Sequence, residues 1–432
     1  MRRVLFISAG AVGTAMAGVS IRAYELARAL QPHAEVTLAG IHSDLDPLSD
    51  LRQVTYDPRN PRELIPEIEA ADAIFTAPVF PVLVPALRRA RARVIFDLLT
   101  PEPFENLEYL ADASPLRRRA MLTLVIDRVA EALHAGHHAV CAGEKQRDLW
   151  IGTMLAERLI TPTRYDADPS LRETLDLVPF GVPAEAPVLT GPGARAAFGL
   201  GDEDEILLWS GGIWSWLDAP TAIRAVAELH RRRPSVRLVF MAASDAGPAL
   251  VAAEEARRLA GELGLLDSVV YFNREWVPYA ERANWLLEAD CNFSMHREHL
   301  ETRFAFRTRV LDCFWSGLPI VATEGDELAD RVERDDLGAA VPAGDAEAAA
   351  AALERVLERG RDSYAAGLAR AAEEHAWPRV AEPLVRWIES DSLPPRIGAG
   401  VTRRPAHAVR TRAYAAAAGA RNALGLERWV RL

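Results

Sequence analysis

Lysine is all but missing from this chain. Of its 50 basic residues one is a lysine, Lys145, and arginine supplies the rest. A GC-rich genome gives such a balance through its codons, so an arginine count alone does not argue for phosphate binding. Cysteine is nearly as scarce: Cys141, Cys291 and Cys313 are far apart and odd in number. They argue against a disulfide framework or a metal site and suit a reducing compartment. Positive charge is in deficit overall. The formal net charge of −11 argues against a general nucleic-acid binder. No run of about 20 apolar residues occurs, so no membrane span is expected. Arg2-Arg3 followed by the uncharged residues 4–21 imitates a secretory leader. Gly10, Gly13 and Gly18 interrupt that run, and an amphipathic helical pattern follows at once over residues 22–30. It therefore reads as strand, glycine loop and helix of a folded domain.

What is present is a 432-residue chain, half hydrophobic and 26% charged. That is an ordinary globular composition, at a length for two or three domains. Apolar strand-like runs alternate with helical patterns: VLFISAG from residue 4, residues 73–77, 93–97 and 139–143, then 205–210, 237–242, 269–273, 290–294, 318–323 and 338–341. Continuous apolar strands separated by helices predict α/β architecture with parallel, doubly wound sheets. Helices are expected over residues 78–90, 114–136, 219–231, 248–263, 279–288 and 308–315. The first glycine loop lacks the G-x-G-x-x-G spacing of a dinucleotide fingerprint. Residues 183–200, rich in Pro, Gly and Ala, read as a linker.

The most charged loop lies in FSMHREHLETRFAFRTRVLDCFWSGLPIVATEGD, residues 293–326. His296, Arg297, His299, Glu301, Arg303, Arg307 and Arg309 lead into a helix that stops at Gly317. Arginines at a helix start suit an anion, phosphate above all. Asp312, a helical turn on, can accept hydrogen bonds from hydroxyls. A second candidate anion loop is Gly211-Gly212, between a strand and a helix. Trp214, Trp216 and Asp218 follow it. The two indoles suit either a platform for a sugar or base, or buried anchors.

Gly317-Leu318-Pro319-Ile320-Val321, with Asp312 five residues earlier, resembles the nucleotide-sugar motif of the retaining GT-B class whose C-terminal domain is named "glycosyl transferases group 1" (family 4-like). That motif has two Glu residues with a seven-residue spacer. Asp312 stands at the second, ribose-binding Glu. Glu301 is the candidate for the first, but it lies eleven residues before Asp312, not eight. Arg309 falls where relatives carry a Lys or Arg near the phosphates. The Gly211-Gly212 loop resembles the family's diphosphate loop without its Arg and Lys, whose charge Arg307 and Arg309 supply by this reading. Glu144-Lys145-Gln146-Arg147-Asp148 resembles the family's "C-x-S-E-x-Q-R-D" element, with Gly143 in place of Ser. Glu144 and Arg147 line a cleft or are surface charges.

The resemblance covers residues 1–390. It implies a GT-B fold, two Rossmann-like domains facing a deep interdomain cleft: 1–183 on the acceptor side and 184–374 binding the nucleotide sugar. A helix at 375–390 would return to the first domain, and a basic Ala/Arg-rich extension fills 391–432. The implied reaction moves a sugar from a nucleoside-diphosphate donor to an acceptor hydroxyl, retaining, with no metal and no cofactor. Glu301, Arg307 and Arg309 are the implied catalytic residues. Gly211, Gly212, Trp276, Val277, His296, Thr308 and Asp312 are the implied donor site, although His296 also reads as a core or surface histidine. Gly18, Arg22 and Asp97 stand on the acceptor side, where Asp97 alternatively belongs to a solvated acidic loop and Arg22 to a tight turn. A cytoplasmic protein is expected, with a nucleotide sugar and a glycosyl acceptor as partners. The tail from 396 reads as a membrane-surface helix or a solvated extension. Two alternatives stay open: a GT-B protein that binds a nucleotide sugar without transfer, and a nucleotide-sugar isomerase.

Overall fold

The computed structural model of the chain describes residues 1–13, 16–41, 51–78, 80–242, 248–402, 409–410 and 413. They form two compact units, residues 1–181 with 377–432, and residues 182–376. The alanine-rich stretch from 414 onward, with Trp429, lies outside the described residues.

The first unit is built on seven strands: β1 (Arg2–Ala11), β2 (Ala34–Ile41), β3 (Arg52–Tyr56), β4 (Ala73–Thr76), β5 (Arg93–Asp97), β6 (His138–Cys141) and β7 (Leu175–Leu177). All pair in parallel, in the order β3-β2-β1-β4-β5-β6-β7. Parallel strands are covered on both faces, which is why Val4 to Ile7 and Val94 to Phe96 are apolar without alternation and buried. The residues that imitate a secretory leader form, as read, the strand β1 and the helix Gly18–Leu30. Helix Pro115–Ala135 starts where its chemistry says: Ser114 accepts from the Arg117 N–H, and proline occupies the first turn.

The unit's core is finished by residues from the far end of the chain. Trp377 packs on Phe180 with ring centroids 5.0 Å apart, and Trp387 stacks on His138 at 4.1 Å. Arg93 meets His138 Nε2 through Nη1 (2.8 Å) and donates Nη2 to the carbonyls of Ser390 and Ser392. Ile397 sits fully buried among Leu98, Leu133 and Trp150. Burial, chiefly, pushes His138 down to about 4 and neighbouring His137 to about 3.

The second unit has six strands, β8 (Glu205–Gly212), β9 (Val236–Ala242), β10 (Val270–Phe272), β11 (Cys291–Ser294), β12 (Ile320–Thr323) and β13 (Gly338–Val341), all parallel. Their order is β10-β9-β8-β11-β12-β13. The chain winds one way from β8 to β10 and the other way from β11 to β13, so the order reverses between β8 and β11. A crevice forms beyond the carboxyl ends of strands at such a point. Here those ends are Gly211-Gly212 and Ser294-Met295-His296. The loop expected between His296 and Arg307 contains a short helix, Leu300–Phe304, whose start is capped by His299.

Candidate functional site

Two segments from either side of the switch point are tied together. The Asp218 N–H donates to the Met295 carbonyl (2.9 Å), and Leu217 bridges His296. The Trp216 carbonyl accepts from the Arg297 N–H (3.3 Å) and from His299 Nε2 (3.2 Å). Trp214 and Trp216 stack in parallel, with ring centroids 5.3 Å apart, and Trp214 is 37% exposed. They are not buried anchors.

Arg309 reaches this junction from the first residue of helix Arg309–Ser316. Its Nη2 donates to the Gly212 carbonyl (3.0 Å), and its guanidinium lies over the Trp209 ring at 5.4 Å. Nη1 is sealed from solvent without a hydrogen-bond partner. Among the described residues no carboxylate pairs with Arg309. Burial lowers its guanidinium to about 9, with the charge of Arg307 as the next cause. Gly211 has φ +110, and a Cβ there would stand 3.7 Å from Arg309 Nη2. The glycine thus keeps the backbone bare beside an arginine with an unpaired donor, an arrangement that suits an anion.

The other expected anion contacts are engaged within the protein. Arg307 donates to both oxygens of Glu301, at 3.1 and 2.6 Å, and Glu301 is 1% exposed. His299 Nδ1 lies 3.5 Å from the same carboxylate. A lone carboxylate buried this deeply would cost several kcal/mol, so it takes its cation from six residues away. Neither Arg307 as a diphosphate ligand nor Glu301 as a sugar contact is open in this arrangement. Asp218, expected at the anion loop, instead caps helix Ala219–Arg232, accepting from the Thr221 N–H (3.0 Å) and hydroxyl (2.7 Å). That helix start is closed by a carboxylate.

His296 is 2% exposed, and its Nε2 is 3.5 Å from Asp326 Oδ2, beyond hydrogen-bond geometry. Both ring nitrogens lack hydrogen-bond partners. Asp326 caps helix Glu327–Arg334 through the Leu328 and Ala329 N–H groups, both at 2.8 Å. His296, His299, Glu301, Arg307 and Asp326 therefore make a buried ionisable cluster beneath the crevice. Thr308 precedes helix Arg309–Ser316 and makes no side-chain cap. Asp312 is a third exposed, with Oδ1 held by Arg282 Nε at 3.1 Å. Trp276, about half exposed, and half-buried Val277 lie beyond β10, on a turn fixed by Asn273 Nδ2 donating to the Met241 and Glu275 carbonyls.

In the first unit, Gly18 opens its helix and no side chain caps that end. Arg22 is fully buried and grips Asp97 with two hydrogen bonds (2.7 and 3.1 Å). It also donates to the carbonyls of Val178 (2.7 Å) and Pro179 (2.9 Å). Neither is the open acceptor-side contact expected of it. Glu144 and Arg147 are 3.8 Å apart, and Arg147 donates to the Leu175 and Ser170 carbonyls, which makes it a structural tie. Two relevant residues were missed by sequence reasoning, Arg282 and Asp326. Arg282 had one signal: an arginine three residues after Tyr279 and three before Trp285 on a helix. Asp326 had the Gly325-Asp326 step before an amphipathic run.

Residues 204–359 match the family described as "Glycosyl transferases group 1". The chain is 30% identical over 250 residues to a D-inositol 3-phosphate glycosyltransferase of Saccharomonospora viridis, covering 53% of this chain and 54% of that one. It is 29% identical over 228 residues to the protein of that name in Frankia alni, covering 51% and 54%. The chain spans about half the length of these curated relatives. Among solved structures, sucrose-phosphate synthase from Thermosynechococcus elongatus superposes with a TM-score of 0.63 at 18% identity, over 90% of this chain and 98% of that one. Anabaena HepE in complex with UDP-glucose gives 0.62 at 14% identity, over 90% and 99%. These likenesses establish the fold, which is GT-B. On that GT-B fold, it is residues 204–359 that resemble the group 1 glycosyl transferases.

Proposed function

We propose that the protein transfers a sugar from a nucleoside-diphosphate donor to an acceptor hydroxyl, with retention and without a metal. The observation that carries this is Arg309, a cation with an unpaired donor beside the bare backbone of Gly211-Gly212 at the switch point of the second unit. As the glycosidic bond breaks, negative charge builds on the departing diphosphate, and a preorganised guanidinium there favours that transition state. Asp312 offers Oδ2, the oxygen that Arg282 does not hold, to the ribose. Trp214, stacked on Trp216, supplies a flat apolar surface next to Gly212 for the sugar ring. In the first unit the crevice beyond β1 and β4, beside Gly18, is assigned to the acceptor. The three free, buried cysteines suit the cytoplasm.

Binding without transfer is the second reading, and one observation favours it: Glu301, the candidate for the first Glu of the motif, is locked by Arg307. The deciding experiment is calorimetry with UDP, GDP, TDP and ADP, then with their sugars. HepE was solved with UDP-glucose, so UDP comes first. Binding of one nucleotide followed by slow sugar release or transfer, unchanged by EDTA, supports the enzyme. Binding without turnover supports the second reading. No binding at millimolar nucleotide overturns both.

A further inference from the structure

Asp312 does not stand alone. Its Oδ1 accepts from Arg282 Nε at 3.1 Å. Arg282 itself is clamped on every side. Its Nη1 donates to the Tyr279 carbonyl (2.7 Å) and its Nη2 to the Tyr279 hydroxyl (3.1 Å). Its guanidinium lies 3.7 Å from the centroid of the Tyr279 ring and 4.5 Å from that of Trp315. Its side chain is only 10% exposed, against 33% for Asp312.

These contacts order the pair asymmetrically. A guanidinium held between two rings and tied to a backbone carbonyl has little rotamer freedom left. It cannot follow a moving carboxylate; the carboxylate must conform to it. Trp315 stands three residues after Asp312 on the same helix, so ring, cation and carboxylate are locked into one turn. Asp312 Oδ1 is then occupied, and Oδ2 is the oxygen left for a ligand.

We infer that Arg282 is a positioning residue for nucleotide recognition: by holding Asp312 Oδ1 it fixes the other carboxylate oxygen as a single, directed acceptor for a ribose hydroxyl of a nucleoside diphosphate. This rests on the donor-site reading given above. It extends that site to a residue from the helix Arg282–Glu288, on the far side of helix Arg309–Ser316 in sequence. It also predicts that selectivity for the ribose, rather than affinity for the diphosphate, is what Arg282 controls.

The test compares each of UDP, GDP and ADP with its 2′,3′-dideoxy form by calorimetry, on the full chain. The proteins are wild type, Asp312→Asn, Arg282→Gln and Arg282→Lys. A charge-assisted hydrogen bond to a fixed acceptor gives an expected preference of wild type for the ribonucleotide of about tenfold or more. Asp312→Asn and Arg282→Gln should each reduce that ratio to about threefold or less, with binding of the dideoxy form unchanged. Arg282→Lys keeps the cation between the rings but loses the planar edge toward Asp312, so it should fall with Arg282→Gln while melting like wild type. It keeps the test alive if Arg282→Gln does not fold. If wild type discriminates and both Arg282 variants keep the full ratio, the inference is overturned and Asp312 acts unaided. If wild type does not discriminate, or no nucleotide binds, the donor-site reading itself falls and takes the inference with it.

Discussion

Arg22 and Asp97, 75 residues apart, meet edge to edge in the first unit, with Arg22 Nε 2.7 Å from Oδ2 and Nη2 3.1 Å from Oδ1. The same guanidinium ties down the Val178 and Pro179 carbonyls, where the chain leaves β7. The pair joins the first helix, the end of β5 and the exit of β7. Removing either partner leaves the other buried and unpaired, which costs about 3–5 kcal/mol. Urea denaturation of Arg22→Leu, Asp97→Leu and the double variant should therefore show two large losses and a double loss well below their sum. Additive losses would mean that the pair carries no mutual stabilisation.

Arg309 should bring its charge to the donor. Arg309→Ala is expected to weaken nucleoside-diphosphate binding by about ten- to a hundredfold, the range for a lost charge-assisted bond. Its lowered value, about 9, adds a pH signature. A cation is charged below its pKa, so affinity should hold up to about pH 8 and fall as pH rises through 9, an edge that a bound diphosphate itself shifts upward. Calorimetry at stepped pH checks this, and a flat profile to pH 10 would sink it.

Trp214 should matter to the sugar and not to the diphosphate. An aromatic contact of about 0.5–1.5 kcal/mol corresponds to a loss of about two- to tenfold in affinity for the nucleotide sugar in Trp214→Ala. Trp214→Phe should recover most of it. Equal losses for the bare nucleotide and the nucleotide sugar would assign Trp214 to the nucleotide.

Acid should destabilise the first unit early. Burial holds His138 at about 4 and His137 at about 3, whereas an unfolded imidazole sits near 6.5. As pH falls below about 6.5 the unfolded chain takes up protons first, so stability drops. The contribution is complete above that value and drains away between about 6.5 and 4, amounting to about 3 kcal/mol for His138. Melting temperatures from pH 7 to 4.5 should decline less steeply in a His137→Asn, His138→Gln variant. A parallel decline would place the acid sensitivity elsewhere.

Much of the scaffold was legible because its signals are local. Apolar runs in Arg93–Asp97 and Gly338–Val341, and the Ser114 and Gly136 punctuation of one long helix, depend on neighbours in sequence. The candidate site was half legible. Gly211 and Arg309 were readable from loop composition, and Asp218 could have been assigned as a cap from Thr221 three residues on. The Glu301–Arg307 pair was not, because a five-residue helix with a histidine cap has no periodicity long enough to detect. Charge clusters also look alike whether they face a ligand or one another. The holds of Arg282 on Asp312 and Arg22 on Asp97 exist only once β-strand order is set, 30 and 75 residues apart.

The first unit is assembled from two stretches of chain that flank the whole of the second. During synthesis its sheet emerges long before Trp377, Trp387 and Ile397, the side chains that close its core against Phe180, His138 and Trp150. At a translation rate of about 5–20 residues per second, residues 182–376 alone impose a wait of roughly ten to forty seconds. Through that interval the nascent first unit carries an unsealed apolar face. The second unit, continuous in sequence, is free to fold in the meantime. The core of the first unit is therefore completed only when residues 377–397 have been made.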